Sequence, residues 1–221
     1  MYPPTVKPLS QCRLYTFVDT AYLHGRLPWE LAKQLCDGGA DLIQLRAKNS
    51  SPEQVRQMAQ AILPVTTRAG VGLVINDLPA IAAETGAALC HLGQEDFFDA
   101  GHTHVSDFAT LAPGVCLGLS THAPAEAERA IAAGAQYIAI GPVYATETKP
   151  AARPVTIDFV RWATAHVRIP WFAIGGITLH NLDDVLAAGA RRVCVLSAIL
   201  NAPDIVQACQ QFKSRVLSLP C

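Results

Sequence analysis

The stretch Gly39-Ala40-Asp41-Leu42-Ile43-Gln44-Leu45 returns three times along the chain, as Gly86-Ala87-Ala88-Leu89-Cys90-His91-Leu92, Gly134-Ala135-Gln136-Tyr137-Ile138-Ala139-Ile140 and Gly189-Ala190-Arg191-Arg192-Val193-Cys194-Val195. Each copy follows a helix-like segment. Glycine suits the left-handed position just past a helix end. The apolar run after it suits a strand buried on both faces. The repeated unit is a helix-to-strand joint.

Working outward from these joints, the apolar pattern predicts strands near 14–18, 41–46, 72–76, 88–92, 115–120, 137–141, 170–174 and 192–197. Helical patterning fills Pro28–Cys36, Pro52–Ile62, Ala123–Ala132, Ile157–Ala165 and Leu179–Ala188, with Pro28 and Pro52 placed for first-turn positions. The segment 98–112 carries the faintest helical pattern. A strand repeat of roughly 25 residues with short links matches a single (β/α)8 TIM barrel. The expected layout is a short Pro-rich leader over 1–12 and one barrel domain over 13–221, with a doubly wound open sheet as the competing architecture.

Composition narrows the function. Among 221 residues, 51% are hydrophobic and 16% charged, which excludes an ordinary disordered chain. The net charge of −1 and the lack of any dense Lys/Arg run argue against nucleic acid or an anionic membrane as partner. No apolar run reaches the ~18 residues needed to span a bilayer, and the start of the chain lacks the pattern of a secretory signal. Seven scattered cysteines, with no C-x-x-C pair, fit reduced thiols in a cytoplasmic protein.

Barrels of this kind do chemistry at the carboxyl ends of their strands. The second predicted strand ends Gln44-Leu45-Arg46-Ala47-Lys48, and period-two alternation puts Gln44, Arg46 and Lys48 on one face. Two cations at a barrel mouth call for an anion, unless they are solvated strand-end charges. The third and fourth strands end in Asn76-Asp77 and Gly93-Gln94-Glu95-Asp96, so Asp77 and Asp96 should be neighbours. Two such carboxylates suit a hard cation such as Mg²⁺. A helix N-cap for Asp77 and a turn for Asp96 are the plainer roles. The fifth strand ends in Ser120-Thr121-His122, where Ser120 either caps a helix or meets a ligand, and the lone His122 is an acid–base candidate or a structural residue.

After the sixth strand, Thr146-Glu147-Thr148-Lys149 forms a hydroxyl-rich loop with one lysine, either an anion clamp or an ordinary exposed loop. The seventh and eighth strands end in Gly175-Gly176 and Leu196-Ser197, the places where barrels often hold phosphate on backbone N–H groups. Two anion sites at one mouth imply two phosphorylated substrates, or one with a phosphate at each end. No nucleophilic triad or Cys–His arrangement points to covalent catalysis.

In order, Gln44-Leu45-Arg46-x-Lys48, Asn76-Asp77, His91-Leu92-Gly93-Gln94-Glu95-Asp96, Ser120-Thr121-His122, Gly141-Pro142 with Thr146 to Lys149, Ala173-Ile174-Gly175-Gly176-Ile177 and Ser197-Ala198 resemble the motifs of thiamine phosphate synthases. The resemblance implies a transferase of thiamine biosynthesis with Mg²⁺ as cofactor. It would join 4-amino-5-hydroxymethyl-2-methylpyrimidine diphosphate to 4-methyl-5-(2-phosphoethyl)thiazole, or its 2-carboxy form, releasing pyrophosphate. By the same resemblance Asp77 and Asp96 would hold the metal, while Arg46, Lys48, Asn76 and Lys149 grip the diphosphate. Gln44 and Ser120 would line the pyrimidine site, and Thr146 and Thr148 would contact substrate. Gly176 and the backbone of Leu196 and Ser197 would hold the thiazole phosphate. Arg46, Lys48, Ser120 and Lys149 form the expected catalytic set, and a homo-oligomer is allowed.

The sequence departs from the family pattern twice. Ala47 stands where the family has Glu, and Ala152-Arg153-Pro154-Val155-Thr156 lacks the family's glycine. A thiazole tautomerase is the rival reading within the same fold, disfavoured by the Gly93-to-Asp96 segment. A non-catalytic barrel sensing a phosphorylated metabolite is the rival of another class.

Overall fold

The computed structural model describes residues 7–146 and 154–218. Eight parallel strands close on themselves in sequence order. They are β1 (Leu14–Asp19), β2 (Leu42–Arg46), β3 (Gly72–Asn76), β4 (Leu89–Leu92), β5 (Cys116–Thr121), β6 (Tyr137–Ile140), β7 (Trp171–Ile174) and β8 (Val193–Cys194). The pairs Leu14↔Val193 and Tyr15↔Cys194 seal the ring, so the architecture is a TIM barrel and not an open sheet. All four joint glycines, Gly39, Gly86, Gly134 and Gly189, have φ between +83° and +104°. An L side chain is disfavoured in that region, which is why the repeat keeps glycine there.

The surrounding helices are α1 (Pro28–Asp37), α2 (Pro52–Ala69), α3 (Pro79–Thr85), α4 (Pro124–Ala132), α5 (Thr156–His166), α6 (Leu182–Ala187), α7 (Ser197–Leu200) and α8 (Ile205–Leu217). Three segments differ from the pattern-based expectation. Helix α2 runs past Ile62 and through Pro64 to Ala69, because Ile62 and Thr66 both bury against the barrel and left-handed Gly70 supplies the stop. Between β4 and β5 there is no α-helix. A π-turn at Glu95–Asp99 and a 3₁₀ turn at Val105–Phe108 replace it, held by a stack of Phe97 on Phe108 at 5.9 Å. Helix α6 starts at Leu182 and not Leu179, since the Asn181 side chain is used by the preceding loop.

The barrel interior is filled low down by Tyr15, Tyr137 and Phe172, whose ring centroids lie 5.3 to 6.4 Å apart. Each is essentially fully buried, contributing on the order of 2–3 kcal/mol by transfer from water. Gly118 makes room for them, because a Cβ there would sit 2.1 Å from the Tyr137 ring. This aromatic plug closes the floor and leaves the mouth at the carboxyl ends open.

The opposite end is stitched by a buried carboxylate. Asp41 accepts from the Arg13 and Leu14 N–H groups at 2.7 and 3.0 Å, from Lys7 at 2.8 Å, and from Lys213 of α8. Burial pushes its carboxyl up, but the hydrogen bonds from Lys213, Lys7, Arg13 and Leu14 outweigh that and hold it below the ordinary value. One side chain thus ties the described part of the leader, the β1 start and the last helix together.

Candidate active site

A cavity of about 130 Å³ opens at the carboxyl ends of the strands. Its wall takes Tyr15 and Phe17 from β1, Gln44 and Arg46 from β2, Asn76 from β3, His91 from β4 and Ser120 from β5. The far side is made by Gly141, Pro142, Ile174, Gly175, Gly176, Leu196 and Ser197. Alternation brings this about, since every second residue of each strand points inward. Gln44 and Arg46 therefore share the interior with Tyr15 and Phe17, as the period-two reading expected.

The charged edge of the mouth is built from β1 to β4. Arg46 donates through Nη1 to the buried Asp19 carboxylate at 2.7 Å. Lys48 donates to Asp77 Oδ2 at 2.5 Å, and the Asn76 amide also donates to Asp77. Asp77 caps no helix, because Leu78 occupies the N-cap position of α3 and the Asp77 backbone is left-handed at φ +61°. A non-glycine residue in that region is held there by its surroundings, here a 2.9 Å bond from its N–H to the His91 carbonyl.

Asp96 lies across from it, near enough for the two carboxyl charges to act on each other. Burial and the Asp77 charge push the Asp96 carboxyl above the ordinary value, against a downward pull from Lys48 and the Gly93 N–H. Two carboxylates from adjacent strand ends that repel each other gain from a shared cation. Among the described residues no cluster of three His, Cys, Asp or Glu side chains stands ready for a metal. A pair fits Mg²⁺ nevertheless, because that ion commonly takes one or two carboxylates and completes its shell with water and substrate phosphate.

The middle of the mouth is polar and tightly bonded. His91 Nε2 lies 3.0 Å from Ser120 Oγ, and the Gln94 amide donates to the Ser120 carbonyl at 2.5 Å. His122 sets its Nδ1 2.5 Å from the Gly141 carbonyl, and its N–H donates to Glu126 at 2.8 Å. Ser120 caps no helix, for Ala123 precedes α4. Gln44 donates to the Tyr15 hydroxyl at 2.5 Å, and burial keeps that phenol protonated well above its ordinary range.

The uncharged edge is made of backbone. Gly175 and Gly176 have φ of +99° and +63°, and a Cβ on either would sit 2.4 to 2.5 Å from Pro142 or the Ala145 carbonyl. Glycine is required there twice over, by conformation and by space. Asn181 pins the turn by donating to the Gly176 carbonyl at 2.9 Å and accepting from Thr178 N–H at 2.8 Å. Leu196 and Ser197 face the same space from the end of β8.

Of the expected site residues, Gln44, Arg46, Asn76, Ser120, Thr146, Gly176, Leu196 and Ser197 line one cavity. Lys48, Asp77 and Asp96 form a contiguous cluster joined to it through Asn76. Thr148 and Lys149 lie outside the described residues. Ala47 packs into the core with 9% exposure, facing away from Arg46. The reading missed Asp19, which ends β1 one residue beyond the predicted strand; the strand-end rule applied to that strand would have found it. It also passed over Gln94 as a bonded partner of Ser120, for which no local signal exists.

A family model described as thiamine monophosphate synthase matches residues 14–199. A thiamine-phosphate synthase of Lawsonia intracellularis is 37% identical over 206 residues, spanning 92% of this chain and 92% of that one. One of Thermus thermophilus is 41% identical over 180 residues, covering 81% and 84%. Among solved structures, a thiamine phosphate pyrophosphorylase from Pyrococcus furiosus superposes with a TM-score of 0.82 at 25% identity, over 95% of this chain and 97% of that one. With the barrel, the two-edged mouth and the ordered motifs, these matches establish that the chain belongs to the thiamine monophosphate synthase family.

Proposed function

We propose that this chain forms thiamine phosphate and pyrophosphate from hydroxymethylpyrimidine diphosphate and a thiazole phosphate, plain or 2-carboxylated. The observation that carries the reading is the juxtaposition at one mouth of a cation-and-carboxylate edge with a backbone edge, on either side of a small, largely apolar cavity. The first edge suits a diphosphate and the second a monophosphate.

Arg46 keeps four of its five N–H donors after the bond to Asp19, and these, with Lys48 and Asn76, would grip the diphosphate. Lys149 would add its charge to that grip. Gln44 and Ser120 would orient the pyrimidine ring in the polar middle of the mouth, while Thr146 contacts substrate nearby. Gly176 and the N–H groups of Leu196 and Ser197 would hold the thiazole phosphate, and Thr148 would contact substrate. Asp77 and Asp96 would hold Mg²⁺, which when bound supplies positive charge to the departing diphosphate.

The chemistry is a dissociative substitution. The C–O bond to the diphosphate breaks first, its electron pair leaving with the diphosphate. The thiazole nitrogen then supplies a pair to the resonance-stabilised pyrimidine cation. No protein nucleophile is needed, and the chain's contribution is to fix both partners on one line and to neutralise developing charge. The six described cysteines are unpaired, which supports a reducing, cytoplasmic setting.

The test is incubation of pure protein with both substrates and Mg²⁺, following thiamine phosphate by chromatography. Product formation that requires both substrates supports the reading. Isomerisation of the thiazole phosphate without coupling would point to the tautomerase, and binding of both substrates without product would point to a sensor.

A further inference from the structure

We infer that Gln94 is a positioning residue, locked by Arg129, that ties the loop carrying Asp96 to the strand end carrying Ser120. The inference rests on the proposed function and adds the link between the diphosphate half of the site and its pyrimidine half.

The pairing of β4 with β5 ends at Leu92↔Leu119. The next inward position on β5 is Ser120, whose carbonyl would have no ladder partner because β4 has already turned away. A buried carbonyl without a donor is costly. Gln94 supplies the donor: it is buried at 8% exposure, and its Nε2 lies 2.5 Å from the Ser120 oxygen. The side-chain amide continues the sheet one step past the end of the strand. Since Gln94 sits two residues before Asp96, the same bond also anchors the loop that presents this carboxylate.

The Ser120 carbonyl only accepts, so it takes the amide nitrogen and leaves the Gln94 oxygen in need of a donor. Arg129 of α4 supplies one. Its guanidinium has donors only, and Nη2 donates to Gln94 Oε1 at 2.6 Å. Arg129 is in turn held over the Phe98 ring at 3.8 Å, a cation–π contact with another residue of the same β4 loop. The chain Phe98, Arg129, Gln94, Ser120 therefore closes on itself across the mouth. Gln94 and Arg129 do not line the cavity, so they act through Ser120 and Asp96 and not on substrate.

The test is a double-mutant cycle with Gln94→Met and Arg129→Met, both of which remove polar groups while keeping an unbranched side chain. Arg129 lies on an exposed face of α4, so its variant will fold. For Gln94→Met we expect about a tenfold rise in KM for the pyrimidine diphosphate, the scale of one lost buried hydrogen bond. A comparable weakening should appear in pyrophosphate binding with Mg²⁺, read by calorimetry without turnover. KM for the thiazole phosphate should stay within about twofold. Arg129→Met should act in the same direction, and the double variant should be no worse than the poorer single one, as for two links in series.

Additive losses, equal loss for both substrates, or an unchanged pyrimidine KM would each overturn the inference. Wild-type protein that neither couples the substrates nor binds pyrophosphate with Mg²⁺ would overturn the proposed function and this inference with it. Intact wild-type coupling with indifferent variants would overturn the inference alone.

Discussion

Replacing Asp19 by Asn tests how the mouth holds its arginine. In the wild type Asp19 is 2% exposed at its side chain and Arg46 18%, with 2.7 Å between Nη1 and Oδ2. The second Asp19 oxygen accepts from Ala21 N–H at 2.9 Å, a bond that the Asn oxygen can keep. With that oxygen so engaged, the amide NH2 faces the Arg46 donor, so the variant loses both the charge and the acceptor. Unit charges about 4 Å apart attract by about 4 kcal/mol at an effective dielectric of ~20. Removing one partner of a buried pair costs about 3–5 kcal/mol, because the other charge stays behind uncompensated. The residual exposure of Arg46 lets water take part of that load, so the expected loss is about 2–3 kcal/mol. For a domain of this size that lowers Tm by about 5–10 °C. The sign reverses in part when an anion arrives. Pyrophosphate with Mg²⁺ gives Arg46 the counter-charge that the variant lacks, so the ligand should raise Tm by more in Asp19→Asn than in the wild type. Thermal unfolding by circular dichroism, with and without Mg²⁺ and pyrophosphate, reads both quantities. An apo Tm within about 1 °C of wild type, or a smaller ligand-induced rise, would refute the reasoning.

Asp96→Ala should abolish coupling activity while leaving the apo Tm equal to or above wild type, because it removes one of two carboxyls that repel each other; near-normal turnover at limiting Mg²⁺ would discard the metal assignment. Asp41→Asn should destabilise the barrel by about 3 kcal/mol at neutral pH. Because the folded Asp41 carboxyl lies below the ordinary 3.8, its contribution is complete above the unfolded value and is lost as pH falls through the folded one. Denaturation curves of wild type and variant should therefore be farthest apart above about pH 5 and draw together below about pH 4; a gap that persists in acid would contradict this. Gly118→Ala should cost about 2–3 kcal/mol or more, since its methyl would overlap the Tyr137 ring packed against Tyr15 and Phe172; a variant with wild-type Tm would show that the plug can shift freely.

Much of this molecule is legible along the chain because its determinants are local. A left-handed glycine and the apolar run after it need only neighbouring residues, so four joints announce four helix-to-strand passages, and the strand count follows. Period-two alternation likewise places Gln44 and Arg46 inside without knowledge of any partner. Helix ends are less local: α2 runs through Pro64 because packing of Ile62 and Thr66 outweighs one lost backbone bond. The π-turn that follows β4 depends on aromatic stacking between Phe97 and Phe108, eleven positions apart, which no periodicity records.

Residue types at strand ends marked where chemistry would lie, but partner choice was settled in three dimensions. Arg46 takes Asp19, 27 residues away, and Gln94 joins Arg129, 35 residues away, to Ser120, 26 residues away. Asp77 could have capped α3; the bond from its N–H to the His91 carbonyl and the pull of Lys48 and Asn76 turn it to the mouth. Backbone preferences and side-chain period are properties of a short segment, and so the sequence alone determined the strands and their faces, while the β1–β8 pairing decided a closed barrel over an open sheet. Hydrogen bonds and ion pairs at the rim depend on how eight strands are staggered when the ring closes, and that stagger exists only in the tertiary structure.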